Sequence, residues 1–197
     1  ARVMVVGLGG VGSLAGESLA RSGIGHLKLV DFDKVCITNS NRQLQAMKGT
    51  IGKFKAAVLA ERLKLINPQA EIEPVEAFYR EDSADEFFAA PVEFVVDAID
   101  NISAKCHLLA TCKEKGIPVV CSTGAAGRLD PTKIATADLA DTTADPLAAA
   151  VRRILRRRFG FPSKGKFDIP AVYSTEQVRD PIELHYDKGQ GFKCVCH

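Results

Sequence analysis

Glycines recur at Gly7, Gly9, Gly10 and Gly12 in the stretch GLGGVG, directly after the apolar run RVMVV and before a helical pattern. A glycine turn between strand and helix lets the backbone approach a phosphate and aims a helix N-terminus at it. A second apolar run ends at Asp31, nineteen residues past Gly12. An acid there would accept hydrogen bonds from a ribose. To this point a nicotinamide or flavin dinucleotide and a mononucleotide fit equally well.

The residues that follow favour chemistry at a phosphate. DFDKVCITNSNRQ sets Asp33, Asn39 and Arg42 close behind Asp31, and GKFK brings Lys55 to the start of a helix. VVDAIDN leaves Asp97, Asp100 and Asn101 at the end of another strand. Hydride transfer requires only that a pyrophosphate be anchored. Cations and a metal-bound carboxylate instead stabilise charge that grows as pyrophosphate leaves. Taken singly, Arg42 and Lys55 are compatible with surface charges, Asp33 with a turn and Asp100 with a helix N-cap. The ordered set points to one nucleotide site.

Bringing these residues to one rim requires alternating strands and helices. The pattern predicts strands at Arg2–Val6, His26–Asp31, Glu71–Ala77, Glu93–Ile99 and Ile117–Cys121. Between them run amphipathic segments: Ala56, Leu59, Ala60, Leu63 and Ile66 share one helical face, and Ile102, Cys106, Leu109 and Ala110 another before Gly116. The implied class is α/β, a Rossmann-like, doubly wound and mostly parallel sheet with helices on both faces. After Gly124 the pattern weakens into RLDPTKIATADL, a strand or loop, and one further helix.

Composition bounds the rest. The 197 residues, 46% hydrophobic and 25% charged, suit a single globular domain, and the net charge of +2 marks no generally basic or acidic protein. No run approaches the roughly 18 apolar residues of a membrane span, and no signal peptide pattern is visible. The six cysteines lack the spacing of a secreted disulfide framework, so reduced thiols and a cytoplasmic location are expected. The chain opens inside a strand and stops at KCVCH, so it is expected to be incomplete at both ends.

The series GLGGVG, DFDKV, TNSNRQ, GKFK and DAIDN resembles the ubiquitin-activating-like adenylyltransferases of the ThiF/MoeB/HesA superfamily. The resemblance implies ATP held at Gly7, Gly9, Gly10 and Gly12, with its ribose at Asp31 and with Asn39, Arg42, Lys55 and Asn101 around it. It implies catalytic roles for Arg42, Lys55 and Asp100, with Mg²⁺ at Asp100, and a homodimer. The later stretch STGAAGRLDPTKIATADLADTTADPLA, with its basic helix, SKGK and YSTE, resembles the tRNA threonylcarbamoyladenosine dehydratases. That branch implies adenylation of the threonylcarbamoyl carboxylate on a tRNA adenosine, followed by closure to a cyclic form. Residues 1–121 would then form the nucleotide-binding core and 122–197 a substrate-side segment. A monovalent cation and a sulfur-relay protein partner are compatible with this resemblance. The alternative substrate is the C-terminal carboxylate of a small sulfur-carrier protein, and an NAD-binding module is a remoter reading.

Carrier-activating relatives often bind structural zinc through two CxxC pairs, and this sequence has none. Cys194, Cys196 and His197 stand so close together that they make an awkward tetrahedral set, so zinc is not expected. Asp145 and Pro146 start a helix on which Leu147, Ala150, Val151, Ile154 and Leu155 face one way and Arg152, Arg153, Arg156 and Arg157 the other. With Lys164 and Lys166 this face reads either as solvated charge or as a footprint for tRNA phosphates.

Overall fold

Residues 1–179 are described by the structure, a computed structural model. Strands β1 (Arg2–Val6), β2 (His26–Val30), β3 (Glu71–Val75), β4 (Phe94–Asp97) and β5 (Val119–Ser122) come first. They are interleaved with helices α1 (Gly10–Arg21), α2 (Lys55–Ile66), α3 (Ala84–Phe87) and α4 (Ile102–Glu114). Then follow β6 (Ile134–Asp138), α5 (Pro146–Arg158) and β7 (Pro170–Ser174). The described strands form one sheet in the order β3-β2-β1-β4-β5-β7-β6. Every pairing is parallel except β6 with β7.

The two-residue period of the strands splits the core in two. Val3 and Val5 of β1 join Leu27, Leu29, Leu59 and Leu63 on the face covered by α1 and α2. Met4 and Val6 face the other way, with Val95, Leu108, Leu109, Val151 and Leu155. A strand covered on both faces reads as a continuous apolar run, which is why RVMVV was legible as a strand.

Four strands end earlier or later than the pattern predicts, chiefly at the carboxyl ends. Asp31 lies just past β2, with its N–H donating to Val75 O at 3.1 Å. β4 stops at Asp97 because that side chain accepts from Ile99 N at 3.1 Å and turns the chain outward. The predicted helical face on α4 is also incomplete. Lys105, Leu108 and Cys112 are buried as well, because α5 covers the side that would otherwise be wet, whereas Ile102 is exposed at the first turn. No periodicity announced β7. It lies between β5 and β6 and pairs with β5 through only Ala171 and Val172.

The turn after β4 is stapled by a buried ion pair. Lys105 Nζ lies 2.8 Å from Asp97 Oδ2, both side chains wholly buried, and donates to Ile99 O at 2.9 Å. Burial pushes the Asp97 carboxyl up, opposed by the Lys105 charge. Burial alone would lower the lysine pKa, and Asp97 and Cys121 together more than offset it, so the net direction is up. Removing one partner strands a buried charge, so Lys105→Met should cost about 3–5 kcal/mol in urea unfolding. Adding Asp97→Asn to that variant should recover most of the loss, because the stranded charge is gone.

Candidate active site

A cavity of about 790 Å³ opens at the carboxyl ends of β1, β2, β4 and β5, on either side of the point where strand order reverses. Of the glycines in the GLGGVG turn, Gly7, Gly9 and Gly10 line it. Gly7 has φ +87°, and a Cβ there would meet Ala98 O at 2.6 Å. Gly12 lies behind the turn, where a Cβ would stand 1.8 Å from Gly7 O. It supports the cavity without lining it. The backbone between them is clamped at Leu8, whose N–H donates to Asp31 Oδ2 at 2.6 Å and whose carbonyl accepts from Gln45 Nε2 at 2.6 Å.

Asp31 is buried, and its other oxygen accepts from Asp33 N at 2.8 Å. Burial raises its pKa, while the nearby Lys55 charge and these two N–H groups act against that. Lys55 starts α2. Its buried side chain reaches Asp33 Oδ2 at 2.7 Å, and its N–H donates to Asp33 O at 2.9 Å. Asp33, which the sequence left as a plausible turn residue, therefore holds the lysine at the cavity wall.

Arg42 is exposed, with Nη1 donating to Asn41 Oδ1 at 2.8 Å, and its stem lies beside Gly10. Asn39 is buried and lines the cavity, and its Oδ1 accepts from Cys36 N at 3.1 Å, which shapes the turn presenting Arg42. Asn101, not Asp100, caps α4 by accepting from Ala104 N at 3.0 Å. Asp100 is thus left exposed on the rim, with no ion pair among the described residues. Asp97 does not join it, being committed to Lys105. Among the described residues no cluster of three or more His, Cys, Asp or Glu could hold a metal by itself. One hard carboxylate oxygen beside a phosphate site is what Mg²⁺ uses when the phosphates supply further ligands.

Several lining residues were not foreseen. Phe78 and Tyr79 follow β3, and Gly124, Ala125, Ala126 and Leu147 close the β5 side. Burial pushes the Tyr79 hydroxyl up to about 12, so it stays neutral. Gln45 had no sequence signal, since nothing in its spacing ties it to a glycine turn 37 residues away. The buried thiols Cys106 and Cys112 are pushed up to about 11 and about 12, and Cys121 further still. These three stay protonated and are poor nucleophiles. Cys194, Cys196 and His197 lie outside the described residues.

The four arginines lie outside the cavity on α5, which Asp145 caps through Ala148 N at 2.7 Å. They are not equivalent. Arg152 is half-buried and donates to Thr142 Oγ1; burial, then Arg156, lowers its pKa. Arg156 donates to Pro162 O at 3.2 Å and lies over the Phe167 ring at 5.1 Å. Arg153 and Arg157 are exposed without an ion pair among the described residues, as are Lys164 and Lys166.

The ThiF family profile matches residues 1–145. The chain is 47% identical to the tRNA threonylcarbamoyladenosine dehydratase of Haemophilus influenzae over 92% of its own length and 70% of that protein. It is 45% identical to the Escherichia coli protein of the same name, over 99% of this chain and 71% of the relative. The crystal structure of that Escherichia coli dehydratase in complex with ATP superposes with a TM-score of 0.89, at 45% identity, covering 92% of this chain and 75% of that one.

Two glycine substitutions separate support from contact. Gly12→Ala should destabilise the fold by about 1–3 kcal/mol or more through the clash with Gly7 O. Gly9→Ala meets nothing within 4 Å and should melt like the wild type. Its methyl group fills space a phosphate needs, so calorimetry should show ATP affinity falling about tenfold, ~1.4 kcal/mol.

Proposed function

This chain belongs to the ThiF family, and we propose that it is an ATP-dependent tRNA threonylcarbamoyladenosine dehydratase. It adenylates the threonylcarbamoyl carboxylate and lets the activated carbonyl close to a cyclic product. One observation carries this choice of substrate: similarity to the dehydratases runs on past residue 145, where the general family match ends, and takes in α5.

The site residues suit the first step. The glycine turn and the start of α1 present backbone N–H groups to the phosphates, and Asp31 borders the position of the ribose. Arg42 and Lys55 place positive charge where the α-phosphorus gains negative charge under attack by the carboxylate. Asp100 would hold Mg²⁺, which when bound neutralises phosphate charge and favours departure of pyrophosphate. Closure then needs no enzyme nucleophile, because the attacking oxygen is already tethered to the activated carbonyl. The protonated state of the three buried thiols accords with this. Sulfur-carrier activation has no comparable support beyond the shared first step.

The assembly we infer is a cytoplasmic homodimer. Exposed Leu14 on α1, with Ile37, Met47 and Ile51 in the segment before α2, offers apolar surface to a second subunit. tRNA would lie along α5, on Arg153 and Arg157, with Lys164 and Lys166 beyond its end.

Incubation with ATP, Mg²⁺ and either threonylcarbamoyl-modified tRNA or a carrier protein, read by mass spectrometry, tests the reading directly. Loss of one water from the tRNA nucleoside is expected; adenylation of the carrier alone would overturn it. In that assay Lys55→Ala should lower turnover by about 10²–10³. ATP affinity should fall much less, because the glycine turn and Asp31 remain. Changing Arg153 and Arg157 together to Gln should weaken tRNA binding and reduce its log–log salt slope by about two. Arg152→Gln should instead cost stability, since its guanidinium is packed against Thr142.

A further inference from the structure

Asp145 joins two parts of the molecule that the proposed function uses for different tasks. Its wholly buried carboxylate caps α5 through Oδ1, which accepts from Ala148 N at 2.7 Å. Oδ2 accepts from Gly124 N and from Arg128 Nη2, each at 3.0 Å. Arg128, its side chain 7% exposed, gives its two terminal nitrogens to backbone carbonyls as well, while its Nε has no partner among the described residues. Nη1 donates to Gly124 O and to Ala126 O at 3.4 Å, and Nη2 to Ala144 O at 3.1 Å. Ala144 is held at φ +56°, a conformation that L residues other than glycine rarely adopt. Its carbonyl is one of those Arg128 secures.

The partners of this pair are informative. Gly124 and Ala126 form the β5-side wall of the cavity, and Leu147, in the first turn of α5, lines it too. About two and three turns further along the same helix stand Arg153 and Arg157. The far side of the wall is fixed independently: Glu176 Oε2 accepts from Leu129 N and Asp130 N at 2.9 Å, and Arg179 N donates to Gly127 O at 2.9 Å. A buried Arg–Asp pair is a poor way to gain stability, because desolvation consumes most of its attraction. It is an effective way to set distances, because the planar guanidinium fixes several acceptors at once.

We infer that Arg128 and Asp145 are positioning residues for the acyl substrate. They lock the cavity wall to α5, so that a nucleic acid held by the exposed arginines presents its carboxylate to the nucleotide at a set distance. This rests on the proposed function. The pair touches neither nucleotide phosphates nor tRNA; it acts through the wall and the helix.

Asp145→Asn and Arg128→Lys test this. Asparagine caps a helix as well as aspartate does, so Ala148 N keeps an acceptor while the bonds to Gly124 and Arg128 are lost. Lysine keeps the charge and loses the fork. With modified tRNA, turnover should fall about 10–10²-fold in each variant, while ATP and tRNA dissociation constants each stay within about threefold. Unchanged turnover would overturn the inference. So would ATP affinity falling in step with turnover, or failure of both variants to fold, since either marks a purely structural pair. Wild-type protein in the same assay separates the two ideas. If it leaves tRNA unchanged, the functional reading has failed, and the variants are scored on whichever acyl substrate the wild type adenylates.

Discussion

The buried contact between Asp97 and Lys105 is the constraint on which the site's geometry turns. Every strand that reaches the cavity must stop and redirect the chain outward, and at β4 that redirection runs through a carboxylate with no access to water. Asp97 takes the Ile99 N–H, and Lys105 takes the Ile99 carbonyl, so the turn is gripped from both sides. Because this carboxylate is consumed inside, the next acid, Asp100, is delivered to the rim with no ion pair among the described residues, and Asn101 is left to cap α4. One internal ion pair thus decides which of two neighbouring acids is left on the rim.

On the other side of the cavity the same economy appears in a different form. Asp31 uses its two oxygens on the N–H groups of Leu8 and Asp33, tying the glycine turn to the segment that carries Asp33. Asp33 in turn aims Lys55. Each carboxylate oxygen keeps spare acceptor capacity, so holding the turn does not prevent Asp31 from meeting a ribose. The right-handed crossovers bring the starts of α1 and α4 to this rim, and the start of α5 joins them. Of these, α1 starts without a side-chain cap, so its N-terminal dipole favours anions there before any cation is counted.

The segment after β5 is part of the same physical unit. β7 pairs with β5, α5 packs on α4, and Asp145 ties the first turn of α5 to the cavity wall. The exposed basic face of α5 and the cavity are therefore linked by short, buried bonds. The general family match ends at the residue that makes this tie, whereas similarity to the Escherichia coli dehydratase covers 99% of the chain.

The sequence by itself determined the strand–turn–helix start, the alternation that makes a parallel sheet, and most of the cavity's polar residues. Each of these is a local signal: strands buried on both faces are apolar runs, glycines are forced where chain meets chain, and Asp145–Pro146 starts a helix in any context. Tertiary structure alone decided between chemically alike neighbours. Asp97 and Asp100 are three residues apart and chemically alike, yet burial beside Lys105 separates them. Arg152 and Arg153 are adjacent, yet one is packed against Thr142 and the other is exposed. Gln45, Arg128 and β7 gave no warning, because their partners are distant in sequence and a hydrogen bond to backbone leaves no pattern in side-chain spacing. Hydrophobic period is set by the chain's own geometry, whereas the fate of a buried polar group is set by whichever partner folding brings to it.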